Sequence, residues 1–135
     1  MFLHNVRRAA PLLILLCCCV LLLTSAGCGP VRARPVEVGL ARETLLKVLD
    51  HWKQGGTIDE LRRAKPEIVA QEPLWSGGNQ LIEYEMTGEG QEEDANWYCE
   101  VKLTLQSTDR SKPIKKTVTY VVGTDPVLTV FHAIL

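Results

Sequence analysis

Few residues in this chain are of the kinds that do chemistry. Past the first residues, histidine occurs only at His51 and His132, and neither sits in an HxH, HExxH or paired-cysteine spacing. A metal centre needs at least three converging ligands, so both imidazoles read as structural and no metal is expected. His51 stands beside Trp52 near the end of a helical stretch, where a partly charged ring suits the helix dipole. The acidic cluster Glu89, Glu92, Glu93 and Asp94 offers oxygens that suit a hard cation. Yet EGQEED lacks the alternating Asp/Asn positions and the distant bidentate Glu of a calcium loop, so it reads as a solvated hairpin tip. Cys99 lies on the apolar side of a strand with Val101 and Leu103, where burial keeps a thiol protonated and inert. No Ser/His/Asp or Cys/His arrangement and no glycine-rich phosphate loop is legible from the spacing. The expectation is a protein without catalytic groups or a cofactor.

One grouping is compatible with a small-molecule site. Tyr84, Lys116, Tyr120 and His132 are polar positions among apolar neighbours, the composition of a ligand pocket if a curved sheet leaves one open. The same four residues describe the edge of an ordinary core, with the Lys116 ammonium reaching out to water. The core edge is preferred, because one lysine and two tyrosines are thin support for a ligand.

The elements that would position these side chains follow from hydrophobic period. From Val38, Ala41, Leu45, Val48, Leu49 and Trp52 recur at spacings of three and four, with Arg42, Glu43, Lys47, Asp50 and Lys53 on other faces. This predicts an amphipathic helix, ended by Gly55 and Gly56. Thr57 and Glu60 form a capping-box pattern that starts a short second helix through Ala64, stopped by Pro66. Glu67 to Gln71 is a short strand candidate, and Trp75-Ser76-Gly77-Gly78 a turn. Gln80 to Met86 alternates, with Ile82, Tyr84 and Met86 on one face and Leu81, Glu83 and Glu85 on the other. A polar loop from Thr87 to Ala95 comes next. Trp97 to Gln106 places Trp97, Cys99, Val101, Leu103 and Leu105 on one side, and Pro113 to Val122 returns with Ile114, Val118, Tyr120 and Val122 inward, interrupted by Lys116. Gly123 to Pro126 turns the chain into a last strand, Val127 to Ala133. Consecutive strands with short connections predict an antiparallel meander. The outer face, with Lys102, Thr104, Lys115, Thr117 and Thr119, reads as a soluble sheet surface, and a partner strand at the sheet edge is a physical route to a complex.

The 135-residue chain leaves room for one such domain, because its start is of another kind. MFLHNVRR, with Arg7 and Arg8 and no acidic residue, precedes the apolar block AAPLLILLCCCVLLL. That is the n-region and h-region of an export signal. Cys17, Cys18 and Cys19 are adjacent in a helical h-region and cannot converge on one ion; they act as small hydrophobes. TSAGC then brings small residues directly before Cys28 and resembles a lipobox, with Ser25 where bacterial lipoproteins usually have Leu. The resemblance implies cleavage after Gly27 and a lipid on Cys28, and Gly29, not Asp, at the next position points to an outer membrane if the host has one. Two alternatives stay open. Uncharged residues run from Ala9 to Val31, about the 20 that span a hydrocarbon core, so an uncleaved anchor fits as well, and ordinary secretion is the third. All three put the domain outside the cytoplasm, the orientation the Arg7/Arg8 pair favours.

With the leader removed, Cys28 and Cys99 are the only cysteines, so no internal disulfide framework is possible if Cys28 is lipidated. The chain has 15 Lys or Arg against 16 Asp or Glu, and two of the arginines lie in the leader, so the remainder is acidic with no basic stripe. Nucleic acid is not expected as a partner. GPVRARPV, residues 29–36, reads as a short extended tether.

Taken together, the expected organisation is a lipoprotein-type signal peptide at 1–27, a lipid-anchored tether at 28–36 and an α+β domain at 37–135. The domain is expected to pack an amphipathic helix and a short second helix on a curved antiparallel sheet of four to five strands. This order resembles the cystatin-like and NTF2-like group of folds over residues 38–135. The ending VVGTDPVLTVF, residues 121–131, is also similar to small exported bacterial proteins that close with a VVGT-type turn and a TVF-type strand. The functional expectation is a non-catalytic envelope lipoprotein held to the membrane through Cys28 and acting on an envelope protein partner. A small-ligand-binding NTF2-like domain is the alternative, and an enzyme the third.

Overall fold

The computed structural model describes Gly27, Gly29 and residues 33–134. The chain divides into one unit at Met1–Arg32 and a second at Ala33–Leu135, and all the secondary structure described here belongs to the second. The expected leader and Cys28 lie outside the described residues. No helix among those residues is long and apolar enough to cross a membrane.

Helix α1, Val38–Lys53, follows the expected stripe: Ala41, Leu45, Val48, Leu49 and Trp52 are all buried. Thr44 is buried between them, and its hydroxyl donates to the Leu40 carbonyl at 2.7 Å, which satisfies that polar group inside the stripe. Gly55 ends the helix at φ +84, a conformation that favours glycine, with its amide on the Trp52 carbonyl at 3.0 Å. Helix α2, Ile58–Arg63, opens with the capping box read from the sequence: the Thr57 hydroxyl accepts from the Glu60 amide, and the Glu60 carboxylate accepts from the Thr57 amide at 2.9 Å.

The remaining elements are β1 (Ile68–Gln71), the one-turn α3 (Pro73–Ser76), β2 (Gln80–Glu93), β3 (Asn96–Gln106), β4 (Ile114–Gly123) and β5 (Leu128–His132). They form one five-stranded sheet in the order β1-β5-β4-β3-β2. From β2 to β5 the strands run antiparallel, as the short connections require. The expectation of a wholly antiparallel sheet is corrected by β1, which pairs parallel to β5 in the register Ile68↔Leu128 to Gln71↔Phe131. The physical reason is that no hairpin joins these two strands. The chain leaves β1 through α3, builds the meander, and comes back to β1 only with its last strand, so nothing local fixes their direction.

Two further expectations change. The Trp75–Gly78 turn is entered by α3, with Pro73 at the first helical position and Glu72 as its N-cap. The polar loop from Thr87 to Ala95 is mostly strand: β2 continues to Glu93, pairing Gln91↔Tyr98, Glu92↔Trp97 and Glu93↔Asn96. A bulge between Thr87 and Gln91 absorbs the extra residues, with Gly88 and Gly90 at φ +80 and +76. A Cβ on Gly90 would fall on the Trp97 indole, whose N–H donates to the Glu89 carbonyl at 3.1 Å. A second bulge between Leu81 and Glu83 breaks the expected alternation of β2. Leu81 is therefore buried while Ile82 is 41% exposed, and Tyr84 and Met86 return half-buried to the inner face.

The core sits between α1 and one face of the sheet. Trp52, Leu45 and Leu49 meet Ile68, Leu81, Trp97, Val101, Leu103, Leu105, Tyr120, Val122 and Val130, all essentially inaccessible to solvent. Trp52 also stacks on Trp75 of α3 at 5.3 Å between centroids, and its indole donates to the Asn79 carbonyl at 2.9 Å.

Candidate functional site

The four residues expected to line a pocket are distributed along the sheet. Tyr84 on β2 is registered with Leu103 on β3, and Leu103 with Lys116 on β4, so Tyr84 and Lys116 share one row, two strands apart. Tyr120 lies four residues further along β4, roughly 13 Å at the usual rise per residue, where it is registered with His132 on β5. The sheet thus brings Tyr120 and His132 together and leaves Tyr84 and Lys116 apart from them.

Each member of this set has its own environment. The Tyr84 hydroxyl donates to Asp50 of α1 at 2.6 Å. Partial burial, reinforced by the hydrogen bond and the charge of Asp50, pushes the Tyr84 phenol up to about 12. Lys116, at the end of β4 where the core tapers, is exposed. Val118, two residues on, is the first buried side chain of that strand.

Tyr120 and His132 meet a third residue that sequence spacing does not single out, Glu72. This carboxylate is 3% exposed. One oxygen accepts from the Leu74 amide at 2.8 Å, as an N-cap does, and the other accepts from the Tyr120 hydroxyl in a short hydrogen bond. His132 Nδ1 lies 3.0 and 3.1 Å from the two oxygens. The carboxylate is thus held by three donors from α3, β4 and β5, which is how a buried charge is tolerated. Burial first, then the adjacent carboxylate, holds the Tyr120 phenol far above its ordinary range. A signal for Glu72 is present in the dipeptide Glu72-Pro73, since an acidic residue before a proline suits an N-cap.

The carboxylate and imidazole resemble the orienting half of a hydrolytic triad, in which a carboxylate fixes one ring nitrogen and frees the other. Here both hydrogen-bond contacts of the His132 ring among the described residues are to Glu72, and the neighbouring hydroxyl, that of Tyr120, also donates to Glu72. What the arrangement does is tie the chain between β1 and α3 to the middle of the sheet. Among the described residues, every buried side-chain nitrogen or oxygen has a hydrogen-bond partner.

The other reactive types are similarly engaged. His51 Nε2 lies 2.8 Å from the Glu60 carboxylate and 3.1 Å from the Thr57 carbonyl, a clamp between the end of α1 and the start of α2. The Thr57 amide, with His51 as a lesser cause, holds the Glu60 carboxyl below its ordinary value. Cys99 is 1% exposed, and burial raises its thiol. Glu89 pairs with Arg42 at 2.8 Å, and Arg42 stacks over Trp97 at 5.5 Å, while Glu92, Glu93 and Asp94 are exposed at the hairpin end. No group of three metal-ligating side chains gathers among the described residues.

The chain matches no protein-family model, no curated protein and no solved structure. Its geometry is therefore what bears on function. One hollow, where β2, β3 and β4 run side by side, is lined by Glu83, Glu85, Lys102, Thr104, Lys115 and Thr117 of the outer face together with Leu103 and two of the expected pocket residues, Tyr84 and Lys116. It is polar and open to solvent. On the inner face, the space between α1 and the strands is occupied by the large side chains of the core.

Proposed function

We propose that this chain is a lipid-anchored, non-catalytic envelope protein that works through contacts with another protein. The observation that supports this most directly is how the inner face is used. In a ligand-binding version of such a domain, the space between helix and sheet would be a chamber with polar groups aimed into it. Here Trp52, Trp97, Tyr120 and nine aliphatic side chains fill that space. The groups able to do chemistry are bonded to one another: Tyr84 to Asp50, Tyr120 and His132 to Glu72, His51 to Glu60. What is left for function is the surface, and it includes the long edge of β2, which has one neighbour in the sheet among the described residues.

Anchoring rests on the leader and on TSAGC before Cys28. The tether from Cys28 to Val36, where the buried core begins, is short enough to hold the domain near a bilayer surface. A helix laid across one face of a sheet is also the arrangement on which the cystatin-like and NTF2-like resemblance rests, and we read the domain as belonging to that group.

The test is mass spectrometry of the full-length protein extracted from its own membranes, first native in mild detergent and then denatured. The reading predicts a chain beginning at Cys28 with added acyl mass, and a retained protein partner of fixed stoichiometry. A chain beginning at Met1, or unmodified at Cys28, overturns the lipid anchor. A retained small molecule in place of a protein overturns the mode of action.

A further inference from the structure

We propose that the free edge of β2 between its two bulges, Glu83–Thr87, takes up an extended partner segment that alternates basic and apolar side chains. This rests on the reading of the chain as an interaction module, and it names the surface and the chemistry of the partner.

The backbone comes first. β2 ends the sheet, so alternate residues along it direct their N–H and C=O groups away from β3 with no strand to receive them among the described residues. The bulges at Leu81/Glu83 and Thr87/Gln91 divide this edge, leaving one run in unbroken register, Glu83↔Thr104 to Thr87↔Glu100. Five residues of ladder span roughly 17 Å, enough for a short peptide and too little for open-ended stacking of sheets.

The side chains then select the occupant. On the outer face this run presents Glu83 and Glu85, both exposed, and neither forms an ion pair among the described residues. Inboard, Glu83, Glu85 and Thr87 are registered with Thr104, Lys102 and Glu100, so the edge carries an acidic rim with one lysine behind it. On the inner face the same run presents Tyr84 and Met86, half-buried, with Ile82 exposed at the adjoining bulge. A strand added here alternates by the same period of two. Its residues beside Glu83 and Glu85 are therefore matched by Lys or Arg, and those beside Tyr84 and Met86 by apolar side chains. A second copy of β2 would set Glu83 and Glu85 beside their own equivalents, and like charges placed opposite one another oppose pairing. The charge pattern thus disfavours self-pairing and admits a basic, amphipathic, extended segment.

The probes are synthetic peptides presented to the full-length protein in detergent: strictly alternating Lys and Val, the same composition in two blocks, alternating Glu and Val, and alternating Lys and Val with N-methylated amides along one edge. We expect the alternating Lys/Val peptide to bind at least about tenfold more tightly than the block and N-methylated forms. In Glu83→Lys/Glu85→Lys the preference passes to the Glu/Val peptide, and in Glu83→Gln/Glu85→Gln the charge preference disappears while N-methylation still weakens binding. Equal binding of the block or N-methylated peptides overturns strand addition, since charge alone would then account for it. Unchanged Lys/Val preference in Glu83→Lys/Glu85→Lys overturns the assignment to this edge, and β2-to-β2 pairing of the wild-type chain overturns the choice of occupant. Failure of this proposal is distinguishable from failure of the functional reading. A partner that co-purifies equally with wild type and Glu83→Lys/Glu85→Lys from membranes removes the edge and keeps the interaction module.

Discussion

The sheet has two edges, and the protein treats them in opposite ways. β1 is four residues long, lies between Pro66 and Pro73, and is pinned from behind by Glu72, which joins it to Tyr120 and His132. β2 is fourteen residues long, bends at two bulges, and carries Glu83, Glu85, Gln91, Glu92 and Glu93 exposed along its length. Short length and prolines already protect the first edge, so its polar groups are free to make internal ties. The second edge is too long to hide and is defended by charge and bulges instead. A surface defended in this way is selective and not inert: it repels its own copy and remains open to a segment of opposite charge.

The sharpest way to break the comparison is to remove the tie at the first edge. Glu72→Ala leaves the Tyr120 hydroxyl and the His132 ring without their buried acceptor and should cost about 3 kcal/mol, a fall of roughly 10–20 °C in Tm. Hydrogen exchange should then accelerate in β1 and β5 while β2 and β3 keep their protection. Uniform acceleration would mean that the two edges are not independent.

A smaller effect is expected at the second edge. Gly90→Ala forces an L side chain into positive φ and against the Trp97 indole, at a cost of about 1–3 kcal/mol by urea denaturation. The loss should be confined to the hairpin beyond Thr87. An unchanged midpoint would show that the bulge is not held by this contact.

On the second edge itself, Tyr84 supplies a titratable probe on the proposed docking strand. Its folded phenol ionises at about 12, above the ordinary value of 10.0, so the neutral form is the one the fold favours. The corresponding stability is fully present below pH 10 and is lost as pH rises through 12. Tyr84→Phe should remove that step from the phenolate absorbance titration, and Asp50→Asn should shift it downward; a Tyr84-dependent step at 10.0 would contradict both the burial of the phenol and the Asp50 contact. The smallest expected effect is at Cys99, whose buried thiol should stay unreactive toward a disulfide reagent until the domain unfolds; rapid labelling of the folded domain would contradict its burial.

Much of this architecture is legible in the sequence because it is written in local period. The stripe from Ala41 to Trp52, the Thr57/Glu60 box and the alternation of Trp97 to Leu105 each describe their own element and its buried face. What is not legible depends on partners distant in the chain. The parallel pairing of Ile68 with Leu128 leaves no mark in either segment, and Glu72 becomes a central residue only once β4 and β5 bring Tyr120 and His132 to it. The bulge at Ile82 shifts alternation by one residue, so a strict count places Ile82 on the same face as Tyr84 and Met86. At the candidate site the residue types point to Tyr84, Lys116, Tyr120 and His132, but sequence spacing cannot show that only the last two are neighbours in the sheet.

The most direct test of a partnered β2 edge is hydrogen exchange of the full-length protein in its native membranes, compared with the same protein purified in detergent. The account predicts that amides between Glu83 and Thr87 are slowed in the membranes and released on purification, while β1 exchanges alike in both. Identical exchange along Glu83–Thr87 in the two preparations would contradict it.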